Sequence, residues 1–409
     1  MADDTTGHEF IDGGVTAPEG FSAAGAHIGF RKDPERFDAA LVVSSSKSTV
    51  ATGTFTKNVF CAAPVQVSRA VAAGGKARAV ILNSGIANAA TGEPGRAAAH
   101  AMQSIAAQAL CIPADEVFVA STGVIGVQLP TAPFETGVPQ LVSKLSREGS
   151  HDAALAIMTT DTHPKECAVE FSVGQRSYRI GGMCKGSGMI QPDMATMLCV
   201  LTSDMPVSAH AAHAALKESV DHSFNKVTVD SDTSTNDSVF FMSSCLGEGD
   251  PAQIGDAAFS AFAAALRAVC ENLARQIAAD GEGATKLVTV NVRGAASDAD
   301  ADKAARTIAN SPLVKTAIAG HDCNWGRVAA ALGRSGAAFE QEKTDIDILG
   351  LPVCRNGLAI VFDEEEALRR FEQDEVAIDV DLHQGEAFTR IWTCDLTHDY
   401  ISINADYRS

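Results

Sequence analysis

Between residues 166 and 204 the chain changes character twice, and that order narrows the folds open to it. ECAVEFSVGQRSYRIGGM (166–183) alternates and carries a turn at Gly174, which predicts a β-hairpin. KGSGMIQPDM (185–194) is a loop crowded with glycine and proline. ATMLCVLTSD (195–204) then switches abruptly to a continuous apolar run, which predicts a buried strand.

The flanking sequence adds helices on both sides. FDAALVVSS (37–45), KARAVILNSG (76–85) and EVFVASTGVIG (116–126) read as strands, the last ending in a glycine turn. PGRAAAHAMQSIAAQAL (94–110), SAHAAHAALKESVDHSF (208–224) and residues 252–281, ending at Gly281, read as helices. From Lys286 onward KLVTVNVRG predicts a strand, DADADKAARTIANS a helix, VKTAIAG a strand and WGRVAAALGRSG a helix. That β-α-β-α order predicts a separate α/β subdomain over about residues 286–390. The mixture of hairpins and helices favours a layered α+β fold over a parallel Rossmann sheet.

Several function classes are disfavoured. A formal net charge of -19 repels phosphate backbones, so no nucleic-acid partner is expected. The acidic start MADDTTGHEF is not a signal peptide, and no apolar run approaches the roughly 20 residues that span a bilayer. No membrane association and a cytoplasmic location are therefore expected. The ten cysteines show no CxxC pair and read as buried, reduced thiols. His210 and His213 share a helix face but lack an acidic third ligand nearby, so no metal is expected.

Chemistry concentrates in a few loops. In GGMCKGSGMIQPDMATMLCVLTSD (181–204) the glycine loop, with Lys185 and Ser187, feeds directly into a strand at Thr196. It is not a phosphate loop, because Lys185 precedes Gly186 and a strand follows. SFNKVTVDSDTSTNDSV (223–239) places Asp230, Asp232 and Ser234 like the start of a Ca²⁺ loop. Thr235 and Phe241 then stand where that loop needs glycine and glutamate. An active-site wall and a structural turn fit it equally. Thr122–Gly123 at a strand end offers a hydroxyl and a backbone N–H to an oxyanion, although an ordinary tight turn has the same look.

Taken in order, these segments resemble the ornithine acetyltransferase (glutamate N-acetyltransferase) family of arginine biosynthesis. The resemblance runs nearly end to end: GGVTAPEGFSAAG (13–25), FTKNVFCAAPVQVSR (55–69), STGVIG (121–126), MTTDTHPK (158–165), KGSGMIQPDMATML (185–198), TVDSDTSTNDS (228–238), DGEGATK (280–286), GHDCNWGR (320–327) and YISINADYRS (400–409). Ile86 and Ala90 stand where the family block carries Asn and Cys, and Cys323 where Pro is usual.

The resemblance implies a layered α/β/β/α sandwich and a precursor that cuts itself between Ala195 and Thr196. An α chain (1–195) and a β chain (196–409) result, assembled as α2β2. Thr196 is then the nucleophile, and Thr122 and Gly123 form the oxyanion hole. Thr159, Lys185, Thr196, Glu282, Asn404 and Ser409 contact substrate. The implied reaction moves acetyl from N-acetylornithine to glutamate without a cofactor, and whether acetyl-CoA also serves as donor is left open. A self-processing aminopeptidase or amidohydrolase is the alternative with the same acyl-threonine.

Cleavage has a physical rationale. A threonine hydroxyl is a poor nucleophile without a base. Attack on the Ala195 carbonyl would move the acyl group from nitrogen to oxygen, and hydrolysis would free the Thr196 α-amine. An α-amine has a pKa of roughly 7.7–8, suited to a general base.

Overall fold

The computed structural model describes residues 7–191 and 197–406. It divides into two compact units. The first runs to Gly186, takes the chain up again as far as Asn225, and adds Thr233–Leu273; the second comprises Ser187–Gln191, Lys226–Asp232 and the chain from Ala274 onward.

Among the described residues the first unit holds ten strands: β1 (His8–Ile11), β2 (Phe21–Ala26), β3 (Ala39–Ser44), β4 (Val50–Phe55), β5 (Ala79–Asn83), β6 (Val117–Ser121), β7 (Lys165–Val173), β8 (Arg176–Lys185), β9 (Leu198–Ser203) and β10 (Ser238–Ser243). Its helices are α1 (Ala63–Ala73), α2 (Gly92–Leu110), α3 (Ala132–Lys144), α4 (Ser150–Ile157), α5 (Ala209–His222) and α6 (Ala257–Ala279), the last belonging to this unit as far as Leu273. One sheet has the order β1-β7-β8-β9-β10-β4 and the other β2-β3-β5-β6. The parallel pairs β5–β6 and β9–β10 each need a crossover, which α2 and α5 supply.

Burial explains the layering. Phe21, Val42, Val80, Leu82 and Phe118 from the smaller sheet pack with Met183, Leu198, Val200, Phe240 and Met242 from the larger one. The opposite face of the smaller sheet, with Leu41, Ile81 and Val119, buries Val67, Met102, Phe134 and Val138 of α1, α2 and α3. The outer face of the larger sheet meets α6, where the Phe241 and Phe262 rings stand edge to face, 5.7 Å apart, and α5, where Thr52 Oγ1 lies 2.9 Å from His213 Nδ1. The result is the expected α/β/β/α sandwich. The hairpin turns at Gly174 (φ 62°), and β9 is buried at every position, as the continuous apolar run predicts.

Among the described residues α6 is long and apolar enough to cross a membrane by length and composition, although Arg267, Glu271 and Arg275 interrupt its apolar run. Its Phe262, Leu266, Val269 and Leu273 are nevertheless buried, and Arg267 pairs with Glu271 on its exposed side at 2.7 Å. This is the helix read from the 252–281 segment, with its charged residues set on the side away from the core.

The second unit contributes β11 (Leu287–Ala295), β12 (Asp345–Ile348), β13 (Leu351–Arg355), β14 (Leu358–Ala359), β15 (Glu375–Asp381) and β16 (Ala387–Cys394), in the order β14-β13-β12-β15-β11-β16. Its helices are α7 (Asp298–Ala309), α8 (Pro312–Ala319), α9 (Trp325–Gly333), α10 (Glu364–Arg370) and α11 (His398–Ala405). VKTAIAG is therefore helix, not strand, and the expected β-α-β-α order is wrong. Ser311 caps α8 by accepting from the Val314 N–H (3.4 Å), Pro312 starts its first turn, and Val314, Ala317 and Ile318 recur on one buried face. The Ser-Pro start outweighs the β-branched content of a short apolar run.

Candidate active site

The first unit gathers two sets of polar groups. One lies at the end of β6. The Thr122 N–H donates to the Asn83 carbonyl at 3.0 Å, the Val124 N–H donates to the Gly85 carbonyl at 3.2 Å, and Ile86 bridges to both Thr122 and Val124. This close approach dictates glycine at 123. Its φ is 132°, and a Cβ there would overlap the Gly85–Ile86 peptide. Among the described residues neither the Thr122 hydroxyl nor the Gly123 N–H has a hydrogen-bond partner. Two donors at a strand end are thus left for an incoming oxygen.

The turn is braced from behind. Asn83 accepts from the Ser121 hydroxyl at 2.7 Å and donates to the Ile86 carbonyl at 3.0 Å. Buried Asn236 donates to the Ala87 carbonyl at 2.6 Å and the Ser121 carbonyl at 2.8 Å.

The second set surrounds Lys185, the last residue of β8, which pairs in register with Leu198 of β9. Leu198 follows Thr196 by two residues. The Lys185 side chain is 10% exposed; its ammonium makes no hydrogen bond among the described residues and lies 3.8 Å from Asp161 Oδ2. Asp161 Oδ1 accepts from Lys165 Nζ and from the Gly186 N–H, both at 2.7 Å, and its Oδ2 accepts from the Thr159 N–H at 2.9 Å. Burial alone would push this carboxyl up. The Lys185 and Lys165 ammoniums beside it outweigh burial and hold it well below the usual carboxylate range. The Thr159 hydroxyl has no partner among the described residues, and the Thr159 carbonyl accepts from Arg36 at 3.1 Å.

The second unit holds a carboxylate site. The Glu282 N–H donates to the Ser187 carbonyl at 3.0 Å, and Asn404 on α11 donates to Glu282 Oε2 at 2.7 Å. Glu282 Oε1 has no hydrogen bond among the described residues, and its buried carboxylate lies directly over the Gly188 Cα, where a Cβ would overlap it. Asp230 accepts from the Met189 and Ile190 N–H groups at 2.6 and 2.8 Å and from the Tyr400 hydroxyl at 3.3 Å. Burial, then Asp230, pushes the Tyr400 phenol well up.

The structure thus joins Thr159 to Lys185 and Asn404 to Glu282, and sets Thr122–Gly123 in a separate braced turn. Ala195, Thr196 and Ser409 lie outside the described residues. Of the Ca²⁺-like segment, Asp230 ties down the 189–190 loop, so its role there is that of a structural clamp. Among the described residues no group of three His, Cys, Asp or Glu side chains is placed to hold a metal ion. Sequence reading did not single out Asp161, Lys165, Asn83 or Asn236. Asp161 and Lys165 stood inside the quoted MTTDTHPK block and Asn236 inside TVDSDTSTNDS, without a spacing that marks a role.

The family profile of ArgJ matches residues 22–409. The chain belongs to the ArgJ family. The arginine biosynthesis bifunctional protein ArgJ of Symbiobacterium thermophilum is 47% identical over 98% of this chain and 100% of its own length. That of Geobacillus kaustophilus is 43% identical over 97% of each. Among solved structures, ArgJ of Bacillus halodurans is 44% identical with a TM-score of 0.49, covering 50% of this chain and 97% of that one. The ornithine acetyltransferase of Mycobacterium tuberculosis, solved with ornithine, is 40% identical with a TM-score of 0.43, covering 46% and 100%. As an ArgJ protein the chain is an acetyltransferase-class enzyme of arginine biosynthesis, as its ordered blocks implied. Of its departures from the ArgJ block, Ile86 lines the Thr122 turn through its backbone and Ala90 takes a φ of 56°, while Cys323 is half-buried, which pushes its thiol up to about 11.

Proposed function

We propose that the chain transfers acetyl from N2-acetylornithine to glutamate through an acetyl ester on Thr196, after cutting itself between Ala195 and Thr196. The family match over residues 22–409 carries this reading. The cut gives chains 1–195 and 196–409, assembled as α2β2 in the cytoplasm. The freed α-amine of Thr196 serves as general base for the hydroxyl of the same residue, so nucleophile and base share one backbone position.

In the first half-reaction the Thr196 oxygen attacks the acetyl carbonyl. The Thr122 hydroxyl and the Gly123 N–H, both without a hydrogen-bond partner among the described residues, suit the developing oxyanion. Removing one such donor typically lowers the rate by roughly 10²–10³. The nitrogen of ornithine takes the proton held by the α-amine and leaves. In the second half-reaction the amine of glutamate attacks the ester and restores Thr196. Lys185 attracts a substrate carboxylate, and Thr159 adds a hydroxyl. Glu282, steadied by Asn404, attracts the side-chain ammonium of ornithine. Ser409 adds a further contact to substrate. No cofactor is invoked, because the acetyl group travels on a side chain.

The test incubates purified enzyme with N-acetylornithine, with and without glutamate. Transfer yields ornithine and N-acetylglutamate in equal amounts and little ornithine without glutamate. Equal ornithine release in both arms makes the protein a hydrolase and removes the proposal. A third arm with acetyl-CoA and glutamate decides the second donor.

A further inference from the structure

Two ammonium groups and one carboxylate meet inside the first unit, and the proposed reaction uses only Lys185. An ammonium alone beside a buried aspartate forms a neutral pair, which holds little attraction for a further carboxylate. Here the aspartate is engaged elsewhere. Lys165, fully shielded from solvent, donates to Asp161 Oδ1 at 2.7 Å, the same oxygen takes the Gly186 N–H, and Oδ2 takes the Thr159 N–H. Lys185 stands off at 3.8 Å, outside hydrogen-bond reach, with its donors unused among the described residues. The three groups together carry one net positive charge, and of the three side chains only that of Lys185 reaches solvent, at 10% exposure.

We infer that Lys165 is a positioning residue which, by holding Asp161, keeps the Lys185 ammonium free to bind the carboxylate of an amino-acid substrate. Asp161 is the intermediary: the same carboxylate fixes Thr159 and Gly186 and would close on Lys185 if Lys165 let it go. The inference rests on the reading of Lys185 as the carboxylate anchor.

Three variants test it, each first shown on a denaturing gel to have cut into two chains. Lys165→Met leaves Asp161 to neutralise Lys185, so KM for glutamate and for N-acetylornithine rises about tenfold while kcat stays within about threefold. Lys165→Met combined with Asp161→Asn removes both charges at once and returns KM to within about threefold of the parent enzyme. An unchanged KM in Lys165→Met, or a double variant as poor as the single, overturns the inference. If only the double variant yields cut enzyme, a near-parental KM supports it and a raised KM overturns it. If neither is cut, the inference also falls, because a pair acting only through Lys185 is dispensable when removed whole. Lys185→Met separates the two readings: an unchanged KM there refutes the anchor itself, whereas a raised KM there with an unchanged Lys165→Met refutes only the role of Lys165.

Discussion

The side-chain amide of Asn236 donates to the carbonyl of Ser121 at 2.8 Å. Ser121 is the last residue of β6, so this bond fixes the peptide that leads into Thr122. The second hydrogen of the amide reaches the Ala87 carbonyl at 2.6 Å, and its oxygen accepts from the Thr235 hydroxyl at 2.6 Å. One buried side chain therefore locks both backbone segments that meet at Gly123 while keeping all of its own polar atoms satisfied.

Asn236→Asp keeps the shape and replaces two donors with a carboxylate oxygen facing two carbonyls. The loops should part, displacing the Thr122 and Gly123 donors by a fraction of an ångström. We expect kcat to fall about 10- to 100-fold with KM changed less than about threefold, because the oxyanion forms only in the transition state. Steady-state kinetics on cut, folded protein check this. A larger effect on KM than on kcat would sever the link between Asn236 and the oxyanion turn.

Gly188 gives a prediction with the opposite kinetic signature. Its missing side chain leaves room for the Glu282 carboxylate. Gly188→Ala forces that carboxylate away from its Asn404 bond. The KM for N-acetylornithine should rise about tenfold, whereas the KM for glutamate, whose side chain is an anion, should change less than about twofold. Equal effects on both substrates would detach Glu282 from the ornithine ammonium.

Sequence was informative where local chemistry alone decides the outcome. The alternating 166–183 segment could only satisfy its period as the β7–β8 hairpin, and the apolar 195–204 run became the fully buried β9. The turn at Thr122–Gly123 was legible from its strand-end glycine, whereas the close approach to the Gly85–Ile86 peptide that excludes a Cβ there shows only in the structure. Asp161 and Asn236 were not legible. Their partners lie 25 residues away at Gly186 and 115 residues away at Ser121, and a polar residue in a polar loop has no periodicity to announce them. The 314–320 error has the same root in miniature: its β-branched content was read, and the Ser311–Pro312 cap that governs it was not.

The thiols offer a pH test. Cys167, Cys184, Cys199 and Cys270 are buried, and burial pushes each thiol up, Cys167 to about 12. A thiol at that value is ionised to only about one part in 10⁴ at pH 8, so native protein should react with an aromatic disulfide reagent first at exposed Cys111. All ten cysteines should react in denaturant. The raised values also set a direction for stability. Below about pH 8.5 the thiols are protonated in both states and their contribution is complete. Above that the unfolded thiols ionise while the folded ones do not, so stability should fall as pH rises, as denaturant titrations at pH 7.5 and 9.5 can measure. Fast native labelling of Cys167 or Cys199 would contradict the packing of the larger sheet against α6.

Thr196→Ala removes one hydroxyl from the residue two positions ahead of β9, a strand held by bonds of its own: the Met197 carbonyl accepts from the Ser238 N–H at 2.9 Å, and Leu198 pairs with Lys185. Folding should therefore survive, and only the chemistry should stop. On a denaturing gel the variant should run as one band near 42.5 kDa, whereas the parent enzyme gives two bands of roughly half that mass. Thr196→Ser, which keeps a hydroxyl, should still cut. Intact mass spectrometry sharpens the outcome, since cleavage ahead of residue 196 fixes both fragment masses and a parent enzyme stalled with N-acetylornithine should carry one extra acetyl group on the second fragment. A Thr196→Ala protein that still divides, or an acetyl group found on the first fragment, would move the nucleophile elsewhere in the chain.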